Sequence, residues 1–92
     1  MKILAVCGMG LGSGLLLRMQ AEKALRQLGI DADLEVADIG SARALAQTAD
    51  LILTSNELAE QLGKVKPRVV TISNFVDRKE MVEKLRAALV KT

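Results

Sequence analysis

The chain has 92 residues, half of them apolar, and its 13 basic and 11 acidic residues leave a net charge of only +2. This length indicates one domain, residues 1–92, with one hydrophobic core. The even charge argues against nucleic acid or a membrane surface as a partner, and a single Phe without Trp or Tyr offers no platform for stacking bases.

The chain has one cysteine, Cys7, and no histidine. One Cys cannot form an internal disulfide, and a lone thiol is typical of a reducing compartment, so we expect a cytoplasmic protein. The lack of histidine excludes Ser/His and Cys/His catalytic pairs and argues against a zinc site, so we expect no metal and no other cofactor. No apolar run reaches the ~18 residues of a membrane span, and the first residues lack the pattern of a signal peptide, so we expect no direct membrane insertion.

The first elements in chain order are a strand, a glycine-rich turn and a helix. Residues 2–6 form an apolar run that is typical of a strand buried on both faces. In the turn that follows, glycine occupies every second position from 8 to 14. Apolar residues then recur at helical spacing over 15–28, and Gly29 stands where a helix is expected to end.

The rest of the chain repeats this alternation of strand and helix. Residues 30–37 alternate apolar and acidic side chains, which predicts an edge strand with one wetter face. The other predicted elements are a turn over 38–41, a short helix over 42–48, a strand over 50–54, a short helix capped by Ser55 or Asn56 and ended at Gly63, a polar connection over 64–67, a strand over 68–72, a loop over 73–76 and a last helix that begins at a capping box of Asp77 and Glu80.

The alternation predicts an α/β fold, namely a single three-layer domain in which a four-stranded parallel sheet carries helices on both faces. The expected strand order is 2-1-3-4, as in Rossmann-like and flavodoxin-like domains. In such sheets ligands bind outside the carboxyl ends of the strands, where the strand order reverses, which here is beside the first strand. Cys7 follows that strand, so the fold and the glycine-rich turn indicate the same place.

The turn from Cys7 to Gly14 has the composition of a phosphatase-like phosphate-binding loop. Backbone N–H groups from 8 to 15 can point into its concave side, because glycine lets the backbone approach an anion closely. The positive end of the first helix is expected to lower the pKa of the Cys7 thiol, and Ser13 can add a hydroxyl donor. Such a turn is suited to hold a phosphocysteine. A lone Cys after an apolar strand is more often a buried small side chain, but that interpretation does not require the glycine run.

Other interpretations of this turn are weaker. Gly8-x-Gly10-x-x-Ser13 resembles a dinucleotide fingerprint with Asp38 as a possible ribose ligand, but the third glycine is Ser and the length leaves no substrate domain. A cysteine phosphatase needs an arginine six residues after its nucleophile, where this chain has Ser13, and without it hydrolysis loses its main charge stabiliser. A thiol redox protein would lack a resolving Cys.

At this turn the chain resembles the enzyme IIB proteins of the bacterial phosphoenolpyruvate-dependent sugar phosphotransferase system (PTS). Within the lactose/ascorbate/galactitol group it is most similar to the ascorbate-type branch, which typically has a Cys-Gly-x-Gly-x-Gly-Ser loop. Every fixed residue of that loop is present at 7–13. The stretches 49–55 and 69–74 are also similar, so the resemblance covers essentially the whole chain.

The resemblance implies a relay. A phosphohistidine on enzyme IIA donates to Cys7, and phospho-Cys7 passes the group to a sugar, ascorbate-like or a related carbohydrate, held by the membrane enzyme IIC. The phosphate-binding residues that the resemblance implies are Gly8, Met9, Gly10, Leu11, Gly12, Ser13 and Gly14. We therefore expect a monomeric phosphotransferase. The alternative is a non-catalytic regulatory or sensor module that retains the fold and binds an anion or a partner protein.

Several other residues are expected near the same edge of the sheet. Met9 and Leu11 either dock the partners or fold back onto the sheet, and Phe75 either joins them or packs under the last helix. Helix capping accounts for Asp38, and Arg18 is expected on a solvated helix face.

Overall fold

Strands and helices alternate along the part of the chain that the computed structural model describes, which is residues 1–8, 13–74 and 77–89. The elements in chain order are β1 (Lys2–Cys7), α1 (Ser13–Leu28), β2 (Asp33–Asp38), α2 (Ile39–Ala46), β3 (Leu51–Thr54), α3 (Asn56–Leu62), β4 (Arg68–Thr71) and α4 (Arg78–Leu89). Across these described residues, no helix has the combined length and apolar character of a membrane span.

The strands form one parallel sheet in the order β2-β1-β3-β4, which confirms the predicted order. β2 lies at one edge of the sheet, as its alternation of apolar and acidic residues predicts. β1 pairs with β2 along its whole length, and the last pair in that register is Cys7↔Asp38. The register between β1 and β3 ends earlier, at Ala5↔Leu53. β1 is therefore paired with β2 up to its carboxyl end, whereas its pairing with β3 stops two residues earlier.

Two buried clusters fill the two faces of the sheet and confirm the three-layer arrangement. From β1, the side chains of Ile3, Ala5 and Cys7 join the cluster formed with α1 and α4, whereas Leu4 and Val6 join the cluster formed with α2 and α3. All five side chains are buried. β1 thus lies at the centre of the domain with both faces covered, as its continuous apolar run predicts.

Helix α2 begins three residues earlier than predicted, and the predicted turn over 38–41 is wrong. Asp38 has an extended backbone, and its carboxylate accepts the N–H of Ser41 at 2.8 Å, which is an N-cap. Gly40, which suggested the turn, instead lies in the first turn of the capped helix. The glycine-rich turn is also shorter than predicted, because β1 extends to Cys7 and α1 begins at Ser13.

Helix α1 ends at Gly29 as predicted. Gly29 has a φ of +72°, its N–H donates to the carbonyl of Arg26 at 3.1 Å, and the N–H of Ile30 donates to the carbonyl of Leu25 at 2.9 Å. This is the Schellman pattern, in which a residue with positive φ satisfies the last carbonyls of a helix. The stop fixes where the chain leaves α1 and turns toward β2.

Helix α4 begins with half of the predicted capping box. The N–H of Glu80 donates to Oδ1 of Asp77 at 3.2 Å, but the N–H of Asp77 donates to the carbonyl of Asn74. The Glu80 carboxylate instead accepts the N–H groups of Ser73 at 2.8 Å and Asn74 at 3.0 Å, and it pairs with Nζ of Lys84 at 3.1 Å. Glu80 therefore ties the segment after β4 to helix α4.

This arrangement predicts a pH-dependent contribution of Glu80 to stability. The backbone hydrogen bond from Ser73 is the main cause that lowers the pKa of Glu80 from 4.5 to about 2. A carboxyl group whose pKa is lower in the folded state stabilises that state above its unfolded pKa, and this stabilisation is lost as pH falls from about 4.5 toward about 2. Since the side chain is 18% exposed and screened by solvent, we expect Glu80→Gln to lower the free energy of unfolding by about 1–2 kcal/mol at neutral pH.

Urea denaturation at neutral pH and near pH 3 measures this effect. The difference between wild type and Glu80→Gln should shrink at the lower pH, because wild-type Glu80 is then partly protonated in the unfolded chain. Glu83→Gln, at an exposed position of the same helix, is the matched control. An equal loss in both variants would contradict the assignment.

Candidate functional site

Cys7 lies at the carboxyl end of β1, where the strand order reverses between β1 and its two neighbours. Only 4% of its surface is exposed, and it belongs to the buried cluster shared with α1 and α4. A Cβ added to the following residue, Gly8, would have no heavy atom within 4 Å, so there is open space beside Gly8. The cysteine is therefore at the boundary between the core and the outside of the domain.

The residues predicted to surround an anion at Cys7 are only partly described. Met9, Gly10, Leu11 and Gly12 lie outside the described residues, and their role stays a prediction. The backbone of residues 13 and 14 forms the start of helix α1, which runs to Leu28 and has no acidic residue in its first turn. The positive end of the α1 dipole is consequently not neutralised by a side chain of its own first turn.

The pKa of the Cys7 thiol is raised above its ordinary value of 9.0, and the prediction of a lowered pKa is wrong. Burial is the larger cause, because a thiolate would lose hydration in the core. The negative charge of Asp38 is the second cause. The sequence pattern indicated the helix dipole but not how deeply the strand end is buried. Burial and the charge of Asp38 both favour the protonated thiol over the thiolate.

Asp38 is the register partner of Cys7 on the neighbouring strand β2. This pairing makes the two residues neighbours at the carboxyl ends of β1 and β2. The predicted capping role of Asp38 is confirmed by its bond to the N–H of Ser41. The carboxylate thus has two effects, since it caps α2 and it opposes negative charge on Cys7.

Asp38→Asn separates these two effects, because Asn caps a helix as well as Asp does but carries no charge. We expect the pKa of Cys7 to fall, so that iodoacetamide alkylates Cys7 about twofold to fivefold faster at neutral pH. The measurement is the alkylation rate as a function of pH, and its midpoint should move to lower pH. Asp33→Asn, at the other end of β2, should leave the profile in place. If both variants gave the wild-type profile, the carboxylate would have no effect on the thiol.

Thr54 is a residue of the site that the sequence analysis did not single out. It ends β3, its side chain is fully buried, and its Oγ1 donates to the carbonyl oxygen of Val6 at 2.8 Å. Val6 directly precedes Cys7. The available signal was a polar residue at the end of the otherwise apolar strand from Leu51, but the partner lies 48 residues away along the chain.

Other residues predicted near this edge have structural roles or stand apart from Cys7. Ser55 caps α3 by accepting the N–H of Leu58 at 3.3 Å, so Ser55 rather than Asn56 is the cap. Arg18 is exposed and pairs with Glu22 at 3.0 Å, as expected for a solvated helix face. Phe75 lies outside the described residues, and its role stays a prediction.

An exposed apolar surface adjoins the site on helix α1. Leu15 is 64% exposed and Met19 is 45% exposed, and their spacing of four residues places them on one face of the first two turns. We call these two residues the α1 apolar patch. They fall outside the buried helical stripe that includes Leu17 and Ala21, which is why the periodicity of the sequence did not draw attention to them.

Known proteins are similar to this chain over nearly its whole length. The family model described as "PTS system, Lactose/Cellobiose specific IIB subunit" matches residues 2–87. A protein of Mycoplasma pneumoniae named "Ascorbate-specific PTS system EIIB component" is 30% identical over 88 residues, which cover 95% of this chain and 93% of the relative. A protein of Shigella sonnei with the same name is 31% identical over 85 residues, which cover 91% of this chain and 84% of the relative.

A solved structure supports the same arrangement of strands and helices. The lactose-specific IIB component domain of the phosphotransferase system from Streptococcus pneumoniae matches with a TM-score of 0.58 and 18% sequence identity. The match covers 97% of this chain and 94% of that domain. At this identity the likeness is one of fold.

Proposed function

We propose, from the fact that this chain belongs to the PTS lactose/cellobiose-specific IIB family, that Cys7 is its phosphoryl-carrying nucleophile. Family membership makes the chain a phosphotransferase component of a sugar phosphotransferase system. The observation that carries the proposal is the position of Cys7, the only cysteine, at the carboxyl end of β1 just before the start of helix α1. The alternative, a regulatory or sensor module, has no described feature in its favour.

The first step of the proposed reaction takes a phosphoryl group from a phosphohistidine of enzyme IIA. The S–P bond to Cys7 forms while the N–P bond breaks, and the thiol proton passes to the imidazole nitrogen that loses the phosphoryl group. The raised pKa of Cys7 is compatible with this step, because the proton stays on Sγ until the imidazole is in place to accept it. No general acid or base of this chain is needed.

In the second step a sugar hydroxyl, held by the membrane enzyme IIC, attacks the phosphorus atom. The S–P bond breaks, and the hydroxyl proton returns to Sγ, which restores the starting thiol. Both steps are displacements at phosphorus, in which a protein contributes mostly positioning and charge stabilisation. Cys7 alternates between the thiol and the phosphocysteine, and the chain is unchanged after one cycle.

We assign the binding of the phosphoryl oxygens to the backbone N–H groups of residues 8–14 and to the hydroxyl of Ser13. The positive end of α1 adds favourable charge, since no acidic residue stands in the first turn of the helix. The chain has no Lys or Arg between Cys7 and Leu17, so the charge that would favour attack by water is missing. This composition suits a carrier, which must hold the group until the sugar arrives.

We assign an ascorbate-like sugar to this chain because the relatives quoted above are named ascorbate-specific. We further propose that the chain acts in the cytoplasm as one domain, residues 1–92, and as a monomer that meets enzymes IIA and IIC in turn. Since both partners must reach Cys7, the α1 apolar patch of Leu15 and Met19 can serve both. Contiguous exposed apolar surface is typical of a site where a partner protein docks.

Reconstitution of the relay tests this proposal. The chain is incubated with labelled phosphoenolpyruvate, enzyme I, the phosphocarrier protein and an enzyme IIA of an ascorbate-type system. We expect label on the chain that resists acid better than phosphohistidine does, and we expect it to disappear when enzyme IIA is omitted. Membranes that contain the matching enzyme IIC and ascorbate should then discharge it.

Enzyme IIA proteins of lactose and galactitol systems serve as the specificity control. If only one of these enzyme IIA proteins labelled the chain, the carrier function would stand, but the assigned sugar would change. If no enzyme IIA labelled the chain, the carrier function would be refuted and the sensor alternative would take its place.

A further inference from the structure

Among the described residues, Thr54 is the one polar residue that is buried, and none of its surface is exposed. It follows Leu51, Ile52 and Leu53, which are buried apolar residues of β3. A Val of nearly the same shape would fill this position without a hydroxyl to satisfy. The hydroxyl therefore needs an explanation beyond packing.

The hydroxyl lies where the ladder between β1 and β3 ends. The register between these strands stops at Ala5↔Leu53, one residue before Val6. Thr54 Oγ1 then donates to the Val6 carbonyl oxygen at 2.8 Å, in a buried environment. The Thr54 side chain thus links β3 to the end of β1, beyond the last backbone pair of these two strands.

The bond acts on the peptide plane that contains the backbone nitrogen of Cys7. A peptide unit is planar, so the Val6 carbonyl and the Cys7 N–H move together. Fixing the Val6 oxygen fixes this plane, and the remaining rotations about the Cys7 backbone and side chain start from it. The β2 side of the same segment is held by the pair Cys7↔Asp38. The two strands together hold the backbone at Cys7, from which its side chain leaves the sheet.

We propose that Thr54 is a positioning residue for Cys7, and that its hydroxyl aligns Sγ with the phosphoryl group of the incoming donor. The inference rests on the proposed function, in which Cys7 accepts the phosphoryl group, and it extends that function to a residue of another strand. In-line displacement is sensitive to geometry, and a misplacement of about 1 Å can reduce the rate of a positioned reaction by about 100-fold.

Two substitutions distinguish the effect of the Thr54 hydroxyl from the effect of its methyl group. Thr54→Val keeps the shape and removes the donor, whereas Thr54→Ser keeps the donor and removes the methyl group. Val82→Ala, on helix α4 in the same buried cluster as Cys7, is the control for a loss of stability that leaves the Thr54 hydroxyl in place. Thermal unfolding of the full chain identifies a temperature at which all variants are folded, and the rates are compared there.

The rate of phosphoryl transfer to Cys7 is measured against the concentration of phosphorylated enzyme IIA. We expect Thr54→Val to lower the maximal rate about 10- to 100-fold with little change in the concentration that gives half the maximal rate, because the docking surface is unaltered. Thr54→Ser and Val82→Ala should stay within about threefold of wild type. Transfer by Thr54→Val at the wild-type rate, or an equal loss in Thr54→Ser or Val82→Ala, would overturn the proposal.

Alkylation of Cys7 by iodoacetamide distinguishes this proposal from the proposed function. If wild type accepts no phosphoryl group, the carrier function has failed, and Thr54 is then judged by alkylation alone. We expect Thr54→Val to be alkylated at least about threefold faster than wild type, because release of the peptide plane exposes Sγ, and Thr54→Ser to match wild type. Equal alkylation rates in wild type and Thr54→Val would show that the hydroxyl does not position the thiol.

Discussion

Replacement of Cys7 by serine should abolish phosphoryl transfer to the chain, with a loss of at least about 1000-fold. A serine hydroxyl is far harder to deprotonate than a thiol and is a poorer leaving group, so it serves neither step of the relay. The change is small in volume and Cys7 is the last residue of β1, so the fold should persist. The measurement is the rate of label transfer from phosphorylated enzyme IIA, with circular dichroism and thermal unfolding to confirm the folded state.

Because Cys7 is the only cysteine, no second thiol can take over in this variant. Cys7→Ala, which removes both the thiol and any hydroxyl, is the companion variant. Label that persisted in both variants at the wild-type rate would place the phosphoryl group on another residue.

Replacement of Leu53 by alanine should produce the largest loss of stability among the substitutions considered. Leu53 is fully buried in β3 against α1 and α4, so truncation removes apolar contact and leaves a cavity. We expect the free energy of unfolding to fall by about 2–5 kcal/mol. For a chain of 92 residues whose total stability is of the order of 5–15 kcal/mol, this is a large share.

Leu15→Ala is the matched control, since it removes the same atoms from a side chain that is 64% exposed. It should change the free energy of unfolding by no more than about 0.5 kcal/mol. Urea denaturation followed by circular dichroism gives both values. Similar losses in the two variants would contradict the layer arrangement in which Leu53 faces the core.

The sheet and its strand order could be predicted because short strand patterns alternate with helical patterns along the chain. β1 and β3 are buried on both faces and read as continuous apolar runs, whereas β2 alternates and lies at the edge. The end of α1 could also be predicted, because it depends on one residue, Gly29, and glycine adopts a positive φ readily. Local signals were misleading where a cap overrode them, as Asp38 did for the start of α2.

The parts of the site that escaped prediction depend on contacts between distant segments. The bond from Thr54 to Val6 joins residues 48 positions apart and requires the register of β1 and β3. The effect of Asp38 on Cys7 requires the register of β1 and β2. The sequence indicated a helix dipole that lowers the thiol pKa, but the burial that raises it exists only after the layers have assembled.

Phosphorus-31 NMR of the chain after phosphorylation by enzyme IIA tests the central claim most directly, because the chemical shift reports the atom that is bonded to phosphorus. We predict one resonance in the range of an S–P bond, which is absent in Cys7→Ser. The resonance should disappear when the phosphoryl group passes to the sugar. A resonance typical of a P–O or P–N bond would contradict the assignment of Cys7 as the carrier of the phosphoryl group.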